Sequence, residues 1–266
     1  SMPTRWTLPD QASALQWCAH RNEQGIRCIL DVLGRYNRDE TLARESYAAY
    51  IKLAEQVKKR GLKASFAVKP SILGGVISRN LTMELVRGIG EKAGDLGIGF
   101  ELDMEGQRTI DLTLLIAEES ARSGLRPTIA LQSYLKRTPK DIERMLDAGV
   151  KIRLVKGAYT GDIADFNIIQ EVFKDLVEQI LERDVPFCIA THDPDLLEWS
   201  QDRISDRDIL EFSFLKGLAD ETKERLVWDG WKVAEYVPFG PHKEGYETRR
   251  KTYLRRLDEL GRLPAP

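Results

Sequence analysis

A chain of 266 residues, 42% apolar and 31% charged, is large enough for one α/β unit with a real core. Its formal net charge of −2 excludes a global basic field for nucleic acid. No apolar run reaches the roughly 18 residues of a membrane span. The stretch 7–24 is expected to form a helix ahead of the first strand. Short apolar runs rich in β-branched residues then recur at 27–33, 64–68, 97–102, 128–131, 150–155, 186–190, 209–214 and 232–237. Charged stretches of helical periodicity separate them. Clear cases are 42–59 and 166–182, the latter with apolar residues at Ile168, Ile169, Val172, Phe173, Leu176 and Ile180. Thr138 before Pro139 and Asp193 before Pro194 are expected N-caps. The last helix is expected over 244–261, followed by a short tail.

Eight β–α units of one polarity predict a parallel (βα)8 TIM-type barrel in a single domain, residues 3–266. It would carry an extra N-terminal helix and a C-terminal helix near the mouth. An open doubly wound sheet is the alternative. The strands read as nearly continuous apolar runs, as strands covered on both faces should. Cys18, Cys28 and Cys188 lack metal-ligand spacing, and His20, His192 and His242 never pair at i+3 or i+4. A metal site is therefore not expected, and buried free thiols in a reducing, cytoplasmic setting are.

In a barrel of this kind, functional side chains lie where strands end. Those places hold Lys69, then Asp103, Met104 and Glu105, then Gln132. They continue with Arg153, Lys156, Ala158 and Tyr159, then Thr191 and His192, then Leu215, and last Tyr236. Lys69, Arg153, Lys156 and the pair Arg249-Arg250 outnumber the acids. The mouth is thus expected to be positive and to take an anion: a phosphorylated cofactor, a carboxylate, or both. Gly88-Ile89-Gly90-Glu91-Lys92-Ala93 has the letters of a nucleotide fingerprint, but it follows a helical pattern rather than a strand. Each candidate also has a bland reading. The lysines could be solvated, Glu105 could cap a helix, His192 could sit in a turn, and the tyrosines could be half-buried packing. Their ordered convergence on one mouth is what those readings leave unexplained.

Several runs resemble the proline dehydrogenase family in order and spacing. They are Val68-Lys69-Pro70, Asp103-Met104-Glu105, Leu131-Gln132-Ser133-Tyr134-Leu135, Arg153-Leu154-Val155-Lys156-Gly157-Ala158-Tyr159, Ala190-Thr191-His192, Tyr236-Val237-Pro238-Phe239-Gly240 and Tyr246-Glu247-Thr248-Arg249-Arg250. The resemblance implies a distorted barrel that binds FAD and oxidises L-proline to 1-pyrroline-5-carboxylate, the first step of proline catabolism. It implies that Lys69, Asp103, Tyr159 and Tyr236 line the substrate pocket with Leu215 on its apolar wall. Arg249 and Arg250 would clamp the carboxylate. Met104, Gln132, Arg153, Lys156, Ala158, Thr191 and His192 would surround the flavin. It implies a single-domain enzyme whose acceptor is a membrane quinone, hence peripheral contact with a membrane. Two features depart from the family. Tyr253 stands where a glutamate usually follows the arginine pair, and Arg255-Arg256 offers a second pair with Glu259 at that offset.

Lys69 is expected to hold the substrate amine neutral by like-charge repulsion, its own charge balanced by Asp103. Arg153 or Lys156 is expected to stabilise an anionic reduced flavin. Two other functions fit a barrel with these residues. One is a Schiff-base aldolase with Lys156 as nucleophile. The other is a non-catalytic barrel that binds an amino acid.

Overall fold

The computed structural model describes residues 4–34, 38–157 and 165–266. Eight strands alternate with helices: β1 Arg27–Val32, β2 Ala64–Val68, β3 Gly99–Leu102, β4 Pro127–Gln132, β5 Lys151–Val155, β6 Phe187–Ala190, β7 Leu210–Leu215 and β8 Lys232–Phe239. The helices are α1 Gln11–Glu23, α2 Glu40–Lys59, α3 Arg79–Asp95, α4 Ile110–Arg122, α5 Thr138–Asp147, α6 Phe166–Leu181, α7 Pro194–Arg203, α8 Asp220–Trp228 and α9 Glu244–Glu259. The strands close in sequence order, β1 pairing with both β2 and β8, and every pairing is parallel. The barrel expected from the β–α rhythm is therefore the fold, and the open sheet is not.

Closure divides each strand into two faces of opposite character. Outward residues such as Leu30, Phe66, Leu131, Ile152, Phe212 and Val237 join the helices in the main core. Inward, Ile29, Ala67 and Ala234 form a small apolar cluster against Tyr236. The rest of the lumen is polar, with Arg27, Ser65, Glu101, Arg153, Glu211 and Ser213 on alternate positions of their strands. The expectation of nearly continuous apolar runs holds for the outward face; several of the inward positions are polar and are paired in the lumen.

Helix starts follow local chemistry. Asp193 caps α7, its carboxylate accepting from the amides of Asp195 (2.9 Å) and Leu196 (3.2 Å). Thr138 is not a cap: it is the first residue of α5, and its hydroxyl donates to the Gln132 carbonyl. α1 begins later than residue 7 because Asp10 and Ser13 form a reciprocal capping box. The residues before it run as an extended strap. Leu8 bridges Phe239 in parallel, and the Lys216 ammonium donates to the carbonyls of Thr4 (3.1 Å) and Arg5 (2.8 Å). The hydroxyls of Thr4 and Thr7 donate to Glu247 on α9, at 2.6 and 2.8 Å. The strap thus ties α9 to the ends of β7 and β8. Gly88 and Gly90 lie inside α3, where a Cβ would press on Tyr47 and on Leu125 and Phe100. They serve helix packing rather than a phosphate. The three cysteines are free and buried. No helix among the described residues is long and apolar enough to cross a membrane.

Candidate active site

The site begins with a charge inside an apolar strand. Asp31 follows Ile29-Leu30 on β1, and alternation turns its side chain into the lumen, where it is fully buried. A lone carboxylate there would be costly, and Lys69 from the end of β2 neutralises it. The Lys69 ammonium also pairs with Asp103 beyond β3 at 2.9 Å and donates to the Tyr236 hydroxyl on β8 at 3.0 Å. The Tyr236 hydroxyl donates in turn to Asp103. An ammonium has three N–H bonds, and all three are engaged. Burial alone would push the Lys69 pKa down, but Asp103 and Asp31 together hold it well above the usual lysine range. Burial pushes Asp31 upward against the pull of Lys69. Lys69, Asp103 and Tyr236, named from their strand ends, do come together. Asp31 was missed, although a single acid in an otherwise apolar run was a legible signal.

Deeper in the lumen, Arg153 pairs with Glu101 and donates to the Ser213 hydroxyl at 3.1 Å. Arg27 pairs with Glu211 at 2.7 Å and approaches Glu101 at 3.6 Å. Burial would raise the Glu211 pKa, but Arg27 and Arg153 bring it down to about 2. Arg153 precedes the end of β5 by two residues, so it is a balanced charge beneath the mouth rather than a free cation at its rim. Lys69 is likewise balanced by two aspartates. The positive mouth expected from the sequence is correct only for its α9 side.

There the i, i+3 and i+4 spacing brings Tyr246, Arg249, Arg250 and Tyr253 onto neighbouring positions of one helix. The Arg250 guanidinium lies 5.0 Å from the centre of the Tyr246 ring, and that of Arg249 lies 5.9 Å from it. Neither arginine forms an ion pair among the described residues. The Arg250 Nε and the Tyr246 hydroxyl are buried without hydrogen-bond partners. Burial pushes the Tyr246 phenol up to about 12, and the charges of Asp31 and Lys69 act on it as well. Arg249 and Arg255 are exposed, Arg250 half-buried. Tyr246 lay in a motif read from the sequence without being given a role.

Next to α9, β5 and β6 lead into Lys156, Thr191 and His192. The His192 Nε2 accepts from the Leu215 amide at 3.0 Å, which places its proton on Nδ1. Burial, aided by Lys223, Arg250 and Lys156, lowers the His192 pKa to about 3, so the ring is neutral. Burial also pushes Lys156 down, against the pull of Asp193 3.5 Å away. Lys156, His192, Tyr253 and Arg262 line a cavity of about 190 Å³. The buried Thr191 hydroxyl accepts from the Asp193 amide at 3.1 Å. Gln132 and Met104 stand half-buried at the ends of β4 and β3, and Leu215 half-buried at the end of β7. Glu105 does not cap the next helix; it accepts from the amide of Ser71 (3.0 Å) and from its hydroxyl. Ala158 and Tyr159 lie outside the described residues.

The family model described as Proline dehydrogenase matches residues 14–163 and 167–262. The chain belongs to the proline dehydrogenase family. It is 30% identical over 254 residues to a proline dehydrogenase of Deinococcus radiodurans, covering 90% of this chain and 81% of that protein. Proline dehydrogenase 1 of Bacillus subtilis is 26% identical over 246 residues, covering 90% and 82%. The barrel superposes on proline utilization A from Bdellovibrio bacteriovorus with a TM-score of 0.82 at 20% identity. It covers 92% of this chain and 32% of that one, so the chain spans about a third of that protein.

Membership in the family implies a flavin cofactor. The donor set suits one: Lys156 and Arg262 for an anion, Gln132 and Thr191 as neutral hydrogen-bonding groups, Met104 as apolar surface.

Proposed function

We propose that this protein oxidises L-proline to 1-pyrroline-5-carboxylate with FAD as cofactor, the first step of proline catabolism. The observation that carries this reading is the unpaired arginine side of the mouth. Among the described residues, Arg249 and Arg250 pair with no carboxylate, and the buried Nε of Arg250 has no acceptor. A planar guanidinium grips a carboxylate with two donors, and proline offers one. The balanced Lys69–Asp31–Asp103–Tyr236 cluster would form a polar wall of the pocket, with Leu215 supplying apolar surface for the ring. Lys69 has no N–H left for the substrate, so it holds the two aspartates in place. The like-charge effect that favours the neutral amine then comes from Arg249 and Arg250. Tyr159 completes the pocket in this reading.

FAD, when bound, supplies the two-electron acceptor. Met104, Gln132, Arg153, Lys156, Ala158, Thr191 and His192 would hold it. The Arg153 charge favours the reduced, anionic form, and Glu101 moderates that preference. In this reading the final electron acceptor would be a quinone, with the protein cytoplasmic and in peripheral contact with a membrane.

The test is the visible spectrum of the purified protein under anaerobic conditions. A flavin band that bleaches with L-proline and not with glycine supports the reading; a band indifferent to proline sinks it. The lowered pKa of Lys156 favours a second reading, a Schiff-base lysine. Borohydride with a carbonyl substrate would add mass at Lys156 if that reading held.

A further inference from the structure

We infer that Tyr253 is the positioning residue that sets the carboxylate grip of Arg250, which is sandwiched between two rings of its own helix. The inference rests on the carboxylate grip of the proposed function and goes beyond it. The Arg250 guanidinium carbon stands 5.0 Å from the centre of the Tyr246 ring and 5.7 Å from that of Tyr253, both within cation–π reach. The spacing 246, 250, 253 places all three on one face of α9. Arg250 has no ion pair among the described residues, and its buried Nε has no acceptor, so the rings do what a carboxylate would otherwise do. A carboxylate partner would compete with the substrate for the same donors; an aromatic face holds the cation and leaves its N–H edge available.

Tyr253 is itself braced. Its ring meets His192 edge-on, centroids 6.2 Å apart, and His192 is held by the Leu215 amide at 3.0 Å. Contacts therefore run from β7 through β6 to α9, and the arginine takes its position from the barrel as well as from its helix. The Tyr253 ring also lines the cavity beside Lys156 and Arg262. It stands between the substrate grip and the region assigned to the cofactor.

The experiment titrates the holoenzyme at low ionic strength with cyclopentanecarboxylate, which keeps the ring and the carboxylate of proline but has no amine to oxidise. Wild type, Y253F, Y253L and Y253M are compared by calorimetry, with thermal melts to confirm folding. Y253F should bind within about twofold of wild type, because the ring face is retained, and the ringless variants should bind at least about fivefold more weakly. In anaerobic bleaching by L-proline, the half-saturating concentration should rise in parallel, while the limiting rate changes by less than about twofold. Tight binding by Y253L or Y253M overturns the inference, as does an equal loss in Y253F. If neither ringless variant folds, Tyr253 belongs to the fold rather than to the grip, and the inference is likewise overturned. A wild type that ignores cyclopentanecarboxylate removes the grip and this inference together. The dehydrogenase reading itself stands or falls separately, on bleaching by proline.

Discussion

Lys69 is the residue on which the mouth depends, because the buried Asp31 and the half-buried Asp103 meet on its ammonium. Lys69→Met would leave Asp31 uncompensated at zero exposure, a loss of about 3–5 kcal/mol, read as a lower urea midpoint. Proline-dependent bleaching should fall with it, whether or not flavin is retained. His192 makes a pH prediction. Its pKa in the folded protein is about 3 against an ordinary 6.5, so between those values the unfolded chain binds a proton that the native state refuses. Stability is therefore full above pH 6.5 and declines as pH falls toward 3. From pH 6.5 to 5 this one group should cost the wild type about 2 kcal/mol. His192→Gln, which keeps an acceptor for the Leu215 amide, should remove that part of the slope in urea midpoints measured at the two pH values.

At the scale of elements, two connections set the site. Gly157 follows β5 with φ of 67°, and a Cβ there would clash with the Tyr134 ring. Gly157→Ala should cost about 1–3 kcal/mol and disturb the placement of Lys156 beside it. Thermal melting and flavin content of the purified variant check this. The strap before α1 is the second connection, since Glu247 accepts from the hydroxyls of Thr4 and Thr7. Glu247→Ala should speed amide exchange in α9 and leave the barrel strands unchanged, because only the helix loses an anchor. Slower exchange, or none of the expected change, would show that α9 is seated by its own packing.

Across the whole molecule, closure of eight strands forces charged side chains into one lumen. Arg27, Glu101, Arg153 and Glu211 come from strands one, three, five and seven and neutralise one another there. Glu101→Leu alone should destabilise by about 3–5 kcal/mol, since it strands the fully enclosed Arg153. Glu101→Leu with Arg153→Met should recover part of that loss in denaturant unfolding. In the single variant, the flavin potential should rise if Arg153 acts on the reduced cofactor, because its charge is then no longer balanced.

Much of this was legible along the chain. The eight strands were readable from β-branched runs, and the main departures were at ends, as where Asp10 and Ser13 start α1 late. Lys69, Asp103 and Tyr236 could be picked as strand-end polar residues, because a parallel barrel directs every strand's end to one mouth. Asp31 was visible as an acid in an apolar run, but its partner was not, since Lys69 lies on another strand. Tyr253 could be seen only as a residue type out of place; its contact with Arg250 follows from helix spacing, but its contact with His192 was decided by the tertiary structure.

Local periodicity and residue type were enough for the fold class, the direction of the strands and the ends at which chemistry gathers, because these follow from neighbours a few positions apart. Tertiary structure alone decided which charges cancel. The distance between Arg153 and Glu101, or between Glu247 and Thr4, is set by barrel closure and by a strap that crosses it. It was closure, therefore, that turned several of the lysines and arginines into one balanced wall, while Arg249 and Arg250 on α9 form no ion pair among the described residues.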